Sequence, residues 1–172
     1  MAKVFEVNVL SGVRLSRAYL PLMKQKNWGR IVFISSESAI HIPVEMVHYG
    51  FTKTAQLAVS RGLAESTAGS GVTVNAVLPG PTASEGVSDF VSKLAAQMDQ
   101  SPGEFEKFFF EKVRPASLLK RFATTGRSRE SCCLCLQSTG FSHERGRIAR
   151  RWGSCSDDHL RWVDFWPGTL AP

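Results

Sequence analysis

Cysteine is absent from the first 131 residues of this 172-residue chain, and tryptophan occurs there once, at Trp28. That stretch therefore cannot be held by disulfides or by a cysteine-built metal knuckle. No apolar run exceeds five residues, far short of the roughly 20 that a membrane helix needs. No apolar leader follows Met1 either, because Glu6 and Asn8 interrupt the pattern, so the expectation is a cytoplasmic chain without a secretory signal or membrane contact. No internal repeat is present. Excess charge is also small. A net charge of +6 accommodates an acidic small-molecule partner without indicating nucleic acid.

What is present divides in two. All four cysteines (Cys132, Cys133, Cys135, Cys155) and three of the four tryptophans (Trp152, Trp162, Trp166) follow Thr125. Before that point apolar segments alternate with turn residues; after it neither strand nor helix periodicity is sustained. The expectation is a body over residues 1–125 and an irregular tail over residues 126–172.

Residues 2–26 carry a broad apolar stripe, including Val4, Val7, Leu10, Val13, Leu20 and Met23, which predicts a helix buried on more than one side. Asn27-Trp28-Gly29 ends it, with Gly29 suited to the left-handed closing position. Arg30–Ser35 is a short continuous apolar run of the kind found in a parallel strand covered on both faces. A second long helix begins near Pro43 and runs to about Ala68, stopped by Gly69-Ser70-Gly71. Val72–Leu78 is another strand, closed by Pro79-Gly80-Pro81. Strand, helix and strand form a βαβ unit. Two shorter helices are expected over 84–99 and 103–113, around the breaker Ser101-Pro102-Gly103. The fold class expected is α/β, a partial doubly wound parallel sheet. Two strands alone fall short of a stable open sheet, so more of the sheet is expected than these residues supply.

Tyr49 and Lys53 stand one helical turn apart on one face of the second helix. A phenol titrates near pH 10, too high for proton transfer at neutrality. An ammonium ~4.5 Å away, at an effective dielectric constant of ~20, stabilises the phenolate by about 4 kcal/mol, or two to three pK units. The alternative is an exposed tyrosine beside a solvated lysine. Ser36 ends the first strand thirteen residues before Tyr49, so both hydroxyls can reach the carboxyl edge of the sheet, where open α/β sheets bind ligands. Its alternative role is that of a turn-capping serine.

Ser36, Tyr49-Gly-Phe-Thr-Lys53, and Val72-Thr-Val-Asn-Ala-Val-Leu-Pro-Gly80, with Asn8 in Val7-Asn-Val-Leu-Ser-Gly12, resemble the short-chain dehydrogenase/reductase family. The resemblance spans residues 2–122 and is nearest to bacterial oxidoreductases similar to 3-oxoacyl-carrier-protein reductase. It implies an NAD- or NADP-dependent oxidoreductase acting on a small carbonyl or alcohol substrate. It implies further that Tyr49 is the general acid/base, that Ser36 binds the substrate oxygen, and that Lys53 lowers the Tyr49 pKa and holds the nicotinamide ribose. Asn8 would hold a water linking Lys53 to solvent, in a locally opened helix. Pro79, Gly80 and Thr82 would line the nicotinamide, and Ser84 would stand near its carboxamide. The two long helices would form a homo-oligomer interface. His41 and His48 match no family role and read as surface residues.

The family's Gly-rich turn, Thr-Gly-x-x-x-Gly-x-Gly, which receives the cofactor pyrophosphate, occurs nowhere in these residues. Gly69-Ser-Gly71 is no substitute, because it follows a helix and precedes a strand. The chain reads as starting inside a family helix, with the first four strands not encoded. In the tail, Cys132/Cys135 and Cys155/His159 have zinc-like spacings, a third and lesser reading; Arg147–Arg151 lacks the setting of a nucleic-acid patch. Sliding the reading frame forward by one nucleotide, with permitted codons, turns the residues from Gly126 into EEVAK, those from Ser131 into AVVYV and those from Glu144 into NGAALRVDGGVV. Those strings are similar to the family's terminal helix and last strand. The expectation is a frameshift near Thr125, which nucleotide sequence across that region tests. By lineage the expectation is thus an oxidoreductase; for this polypeptide itself it is an inactive, non-catalytic fragment that keeps the acid–base residues without holding a dinucleotide and associates through its long helices.

Overall fold

The computed structural model describes residues 1–115 and 117–136. The first helical stretch is a rod of three pieces: α1 (Ala2–Phe5), a π-turn (Glu6–Leu10) and α2 (Ser11–Gln25). The π-turn is marked by the bond from the Ser11 N–H to the Glu6 carbonyl, five residues back. Strand β1 (Gly29–Ile34) follows, then two short 3₁₀ turns (Glu37–Ala39 and Val44–Met46), helix α3 (Val47–Ser66) and strand β2 (Val72–Val77). Beyond them lie β3 (Thr82–Ala83), α4 (Glu85–Gln97), α5 (Pro102–Phe108) running into a second π-turn (Phe109–Val113), β4 (Ala123–Thr124) and α6 (Thr125–Leu136).

β1 and β2 pair in parallel from Gly29↔Val72 to Ile34↔Val77, the expected βαβ arrangement. A second parallel pair, Thr82↔Ala123 and Ala83↔Thr124, ties the start of α4 to the start of α6. Phe33, Val74, Ala76 and Leu78 form the sheet's core, with Ile31 and, from α3, Leu57, Leu63 and Ala64 packed against it. A second apolar centre is aromatic: Phe105 and Phe110 are buried, with Phe109 and Phe122 stacked at 5.3 Å. Among the described residues no helix is long and apolar enough to cross a membrane.

The rod is exposed along most of its length, with Val9 and Ser16 its buried residues, rather than buried on more than one side. Two further sequence expectations are corrected. The left-handed residue closing α2 is Asn27 (φ 48°), not Gly29. The Trp28 N–H bonds to the Met23 carbonyl and the Asn27 N–H to the Lys24 carbonyl, the paired bonds of a Schellman cap. Gly29 is small for another reason: a Cβ there would stand 2.6 Å from the Met23 side chain. The second correction concerns the tail, where Thr125–Leu136 is helical rather than irregular. α6 lies against β1 and β2, and its buried residues Ser131 and Cys135 are one turn apart, so two small side chains replace the large apolar stripe that periodicity searches for. Ser101-Pro102-Gly103 also does more than break the chain. Ser101 caps α5, Pro102 is its first residue, and the Glu104 side chain returns to the Ser101 N–H at 2.8 Å. Cys155, His159 and Arg147–Arg151 lie outside the described residues. Among the described residues no three His, Cys, Asp or Glu side chains come together to hold a metal.

The sheet's register is fixed at its amino edge by a clasp. The Gly71 N–H donates to Asn27 Oδ1 at 2.7 Å, and Arg30 Nη1 donates to the carbonyls of Gly29 and Gly71 at 2.8 and 2.9 Å. A Cβ on Gly71 would fall 2.0 Å from the Asn27 carbonyl oxygen, a backbone atom that cannot yield without opening the α2 cap. Gly71→Ala is therefore expected to lower stability by about 1–3 kcal/mol, read as a lower urea midpoint by circular dichroism. An unchanged midpoint would show the clasp to be dispensable.

Candidate active site

The backbone pairing of β1 with β2 continues past both strands. The Ser35 N–H donates to the Val77 carbonyl at 2.8 Å and the Glu37 N–H to the Pro79 carbonyl at 3.0 Å. Ser36 is thereby held beside Pro79 at the carboxyl edge of the sheet. Ser36 caps the Glu37–Ala39 turn, its Oγ accepting from the Ser38 N–H at 3.1 Å. A hydroxyl fixed through its acceptor side still has its proton to donate.

The first turns of α3 pack on that serine turn. Thr54 Oγ1 donates to the Ala39 carbonyl at 2.8 Å, and Ser35 Oγ to the Lys53 carbonyl at 2.9 Å. Gly50 permits the approach, since a Cβ there would lie 3.0 Å from the Ser38 carbonyl and 2.6 Å from Ile42. Tyr49, half-buried, is thus carried on the helical turn that meets the Ser36 turn. Lys53 Nζ lies 5.6 Å from the Tyr49 ring centroid and donates to the Ile34 carbonyl at 2.8 Å and to Gln56 Oε1 at 3.3 Å. Burial pushes the Lys53 pKa below the ordinary lysine value.

Asn8 sits in the middle of the π-turn and reaches α3 twice. Its Nδ2 donates to Thr52 Oγ1 at 3.0 Å, and its main-chain carbonyl accepts from Gln56 Nε2 at 2.5 Å. Thr52, fully buried, donates its own hydroxyl hydrogen bond to the Tyr49 carbonyl at 2.7 Å. Pro79 and Gly80 are half-buried at the rim; Thr82 Oγ1 donates to the Gly80 carbonyl at 2.9 Å, and Ser84 precedes α4 in extended conformation. His41 and His48 are exposed.

Ser36, Pro79, Gly80 and Thr82 thus follow the carboxyl edge of the sheet, Lys53 reaches it through the Ile34 carbonyl, and Asn8 meets α3, joined by residues that sequence reasoning passed over. Ser35, Gly50, Thr52, Thr54 and Gln56 are the couplings between elements. Another is Arg114, at the end of the second π-turn. Its guanidinium lies 3.6 Å from Glu37 and 3.3 Å from Glu45, over the Phe109 ring, and so ties the aromatic centre to the residues flanking Ser36 and Tyr49. The Glu45 carboxyl is held below its ordinary pKa, first by its own backbone N–H and then by Arg114. A small polar residue on a helix face reads in sequence as solvent-exposed; only the π-turn opposite α3 reveals what Thr52 and Gln56 bind.

The Lys53 shift has a definite sign for stability. Unfolded, the lysine titrates near 10.5; folded, it loses its proton earlier. In the alkaline window below 10.5 the unfolded state binds more protons, so stability rises with pH there and levels off above it. Urea midpoints of the native chain measured up that window are expected to climb relative to those of Lys53→Met. Parallel curves would mean that burial at Lys53 carries no such linkage.

The residues 1–95 match the family model for short chain dehydrogenase. The uncharacterized oxidoreductase YvrD of Bacillus subtilis strain 168 is 48% identical over 120 residues, covering 70% of this chain and 46% of that protein. The chain spans about half the length of curated relatives it matches. Among solved structures, NAD+-bound xylitol dehydrogenase superposes with a TM-score of 0.66 at 22% identity, over 79% of this chain and 53% of that one. L-sorbose reductase from Gluconobacter frateurii, complexed with NADPH and L-sorbose, does so with a TM-score of 0.64 at 23% identity, over 77% and 49%. These two likenesses carry the doubly wound α/β fold, and the family-model match carries the lineage: the chain belongs to the short-chain dehydrogenase family.

Proposed function

We propose that this chain carries the acid–base half of an NAD(P)-dependent oxidoreductase site acting on a carbonyl or secondary alcohol. The observation that carries the reading is the half-buried Lys53 ammonium beside the Tyr49 ring, with Ser36 on the turn packed against the same helix. In the reductive direction the Ser36 hydroxyl donates a hydrogen bond to the substrate oxygen and holds it. Tyr49 then gives its proton to that oxygen as the neighbouring carbon receives hydride, so carbonyl, proton and hydride together make the alcohol. The phenolate left on Tyr49 is stabilised by Lys53, whose charge is screened less by water than an exposed ammonium would be. In the oxidative direction the phenolate takes the alcohol proton.

The nicotinamide supplies or accepts the hydride when bound. The residues present fit its ribose end. Lys53 has three N–H donors and spends two on Ile34 and Gln56, which leaves one to donate to a ribose hydroxyl. Pro79, Gly80, Thr82 and Ser84 would line the ring, with Tyr49 and Lys53 at the ribose. No residue here is assigned to the pyrophosphate, since the Gly-rich turn is not part of this sequence. The structural neighbours are described with NAD+ and with NADPH, so the choice between the two is left open by them.

A second property is favoured by exposed apolar surface. Val7, Leu15, Tyr19 and Leu22 form a stripe along the rod and Val44, Val47 and Phe51 another at the start of α3; all are exposed. Phe5 stacks on Phe51 at 5.9 Å and joins the two stripes. A patch of this kind suits a second copy of the chain. Leu15→Lys with Phe51→Lys is expected to reduce the sedimenting mass toward that of a monomer; an unaltered mass would place any association elsewhere.

The functional reading is tested by nicotinamide fluorescence and by turnover at 340 nm with a panel of ketones and secondary alcohols. Turnover is expected to fall at least ~100-fold in Tyr49→Phe wherever it is measurable, and saturable NADH or NADPH binding would show that the ribose-end residues hold the cofactor without a Gly-rich turn. No saturable binding would favour the alternative reading, a chain that keeps the acid–base residues without a dinucleotide site. Turnover that survives Tyr49→Phe would overturn the assignment of the acid.

A further inference from the structure

We propose that Gln56 is the positioning residue of Lys53, a side-chain strut that fixes the ammonium against the opened turn at Asn8. The inference rests on the reading of Lys53 as the partner of Tyr49. Gln56 is buried, 8% exposed, and its amide is used at both ends. Oε1 accepts from Lys53 Nζ at 3.3 Å, and Nε2 donates to the Asn8 carbonyl at 2.5 Å. A helix carbonyl is ordinarily committed to its own ladder, so a donor arriving from another helix marks a place where the ladder is opened. The π-turn Glu6–Leu10 is that place. The amide cannot be turned over without facing N–H to ammonium and C=O to C=O, so each contact fixes the other.

The consequence is for the direction of Lys53. A lysine has a flexible four-carbon stem and a charge without preferred direction. With Ile34 and Gln56 each taking one donor, the head is held on the side where Tyr49 lies. An amide accepts through oxygen and donates through nitrogen but does not readily pass a proton from one to the other. The link from Lys53 to Asn8 through Gln56 is therefore a brace, and a proton replacing the one Tyr49 gives up leaves or enters by another route.

The charged and titratable groups on elements packed near Lys53 are Tyr49, His48, Arg61 and Glu65 on its own helix, Glu37 in the serine turn, Glu45 in the Val44–Met46 turn, Glu6 in the π-turn, Lys3 in α1 and Arg30 in β1. Glu37 faces Arg114 and Glu6 is paired with Arg14, while His48 is exposed. Replacement at Gln56 thus leaves these pairings in place and is read at Lys53 itself. The experiment is a pH titration of the Lys53 ε-carbon by NMR in the full 172-residue chain, for the native protein, Gln56→Met and Gln56→Glu. Gln56→Met removes an acceptor of the charged form and is expected to lower the proton-binding constant of Lys53 roughly tenfold. Gln56→Glu puts a carboxylate there and is expected to raise it. Where turnover is measurable, its alkaline limb moves to lower pH in Gln56→Met and to higher pH in Gln56→Glu.

If Gln56→Met fails to fold, Gln56→Glu alone decides the matter. A Lys53 titration that stays fixed in every folded variant would reduce Gln56 to packing and overturn the proposal. A Lys53 shift accompanied by turnover indifferent to Tyr49→Phe separates the two readings: the brace stands and the acid assignment falls.

Discussion

Helices rarely exchange hydrogen bonds through their main chains, because each carbonyl is engaged with its own helix. The site depends on a place where that rule is relaxed. At Glu6–Leu10 the rod opens into a π-turn, and α3 answers with two side chains, Thr52 accepting from the Asn8 amide and Gln56 donating to its carbonyl. Thr52 and Gln56 flank Lys53, and Thr52 also bonds the Tyr49 carbonyl. A polar crossing between helices is costly when half-made and rigid when complete. Here both partners of each bond are present, so the helix bearing the phenol and the ammonium cannot slide along the rod without breaking two part-buried bonds.

The same helix is held from its other side by the serine turn. Thr54 on Ala39, Ser35 on the Lys53 carbonyl and the missing Cβ of Gly50 bring α3 to close contact with residues 36–39. Ser36 is in turn fixed to Pro79 through Glu37. The geometry of a proton transfer tolerates little looseness, since misplacement of an ångström can cost orders of magnitude in rate. Two anchorages on one helix would supply the stiffness that the proposed proton transfer requires. A desolvated Lys53 is the electrostatic complement: burial lowers its pKa, which is unfavourable for the ammonium, but the same low dielectric strengthens its pull on a neighbouring phenolate.

Much of this was readable from residue patterns, and the reasons differ by element. The apolar run Arg30–Ser35 and the breaker before Val72 marked both strands, because a parallel strand covered on two faces is apolar almost throughout. Tyr49, Lys53 and Ser36 were legible as a spacing, and Asn8 through the resemblance that Tyr49-Gly-Phe-Thr-Lys53 and its companions carry. The couplings were not. Gln56 and Thr52 have no pattern of their own; their partners lie 48 and 44 residues away. The two-residue pairing of β3 with β4 is too short to show any period, and Ser131 with Cys135 is too small to read as a helix stripe. Asn27 rather than Gly29 closes α2, because asparagine also tolerates the left-handed region and leaves the glycine free for Met23.

The separation of tasks along the chain has a physical consequence. Every residue assigned to the proton or to the nicotinamide end falls between Asn8 and Ser84, on the rod, the turns beyond β1 and β2, α3, β3 and the residue before α4. Their mutual geometry is set by contacts inside that span and by two ties from beyond it, Arg114 on Glu37 and Glu45 and the pairing of β3 with β4, none of which involves a phosphate cradle. Acid–base geometry and dinucleotide affinity are therefore distinct properties with distinct structural causes. A chain can hold Tyr49, Lys53 and Ser36 in register through the π-turn and the serine turn whether or not a pyrophosphate is bound, and the Lys53 titration reads the first property without the second. That is why Gln56, a residue that touches neither substrate nor cofactor in the proposed site, is the informative position: it reports whether the ammonium is held by the protein's own framework before any ligand arrives.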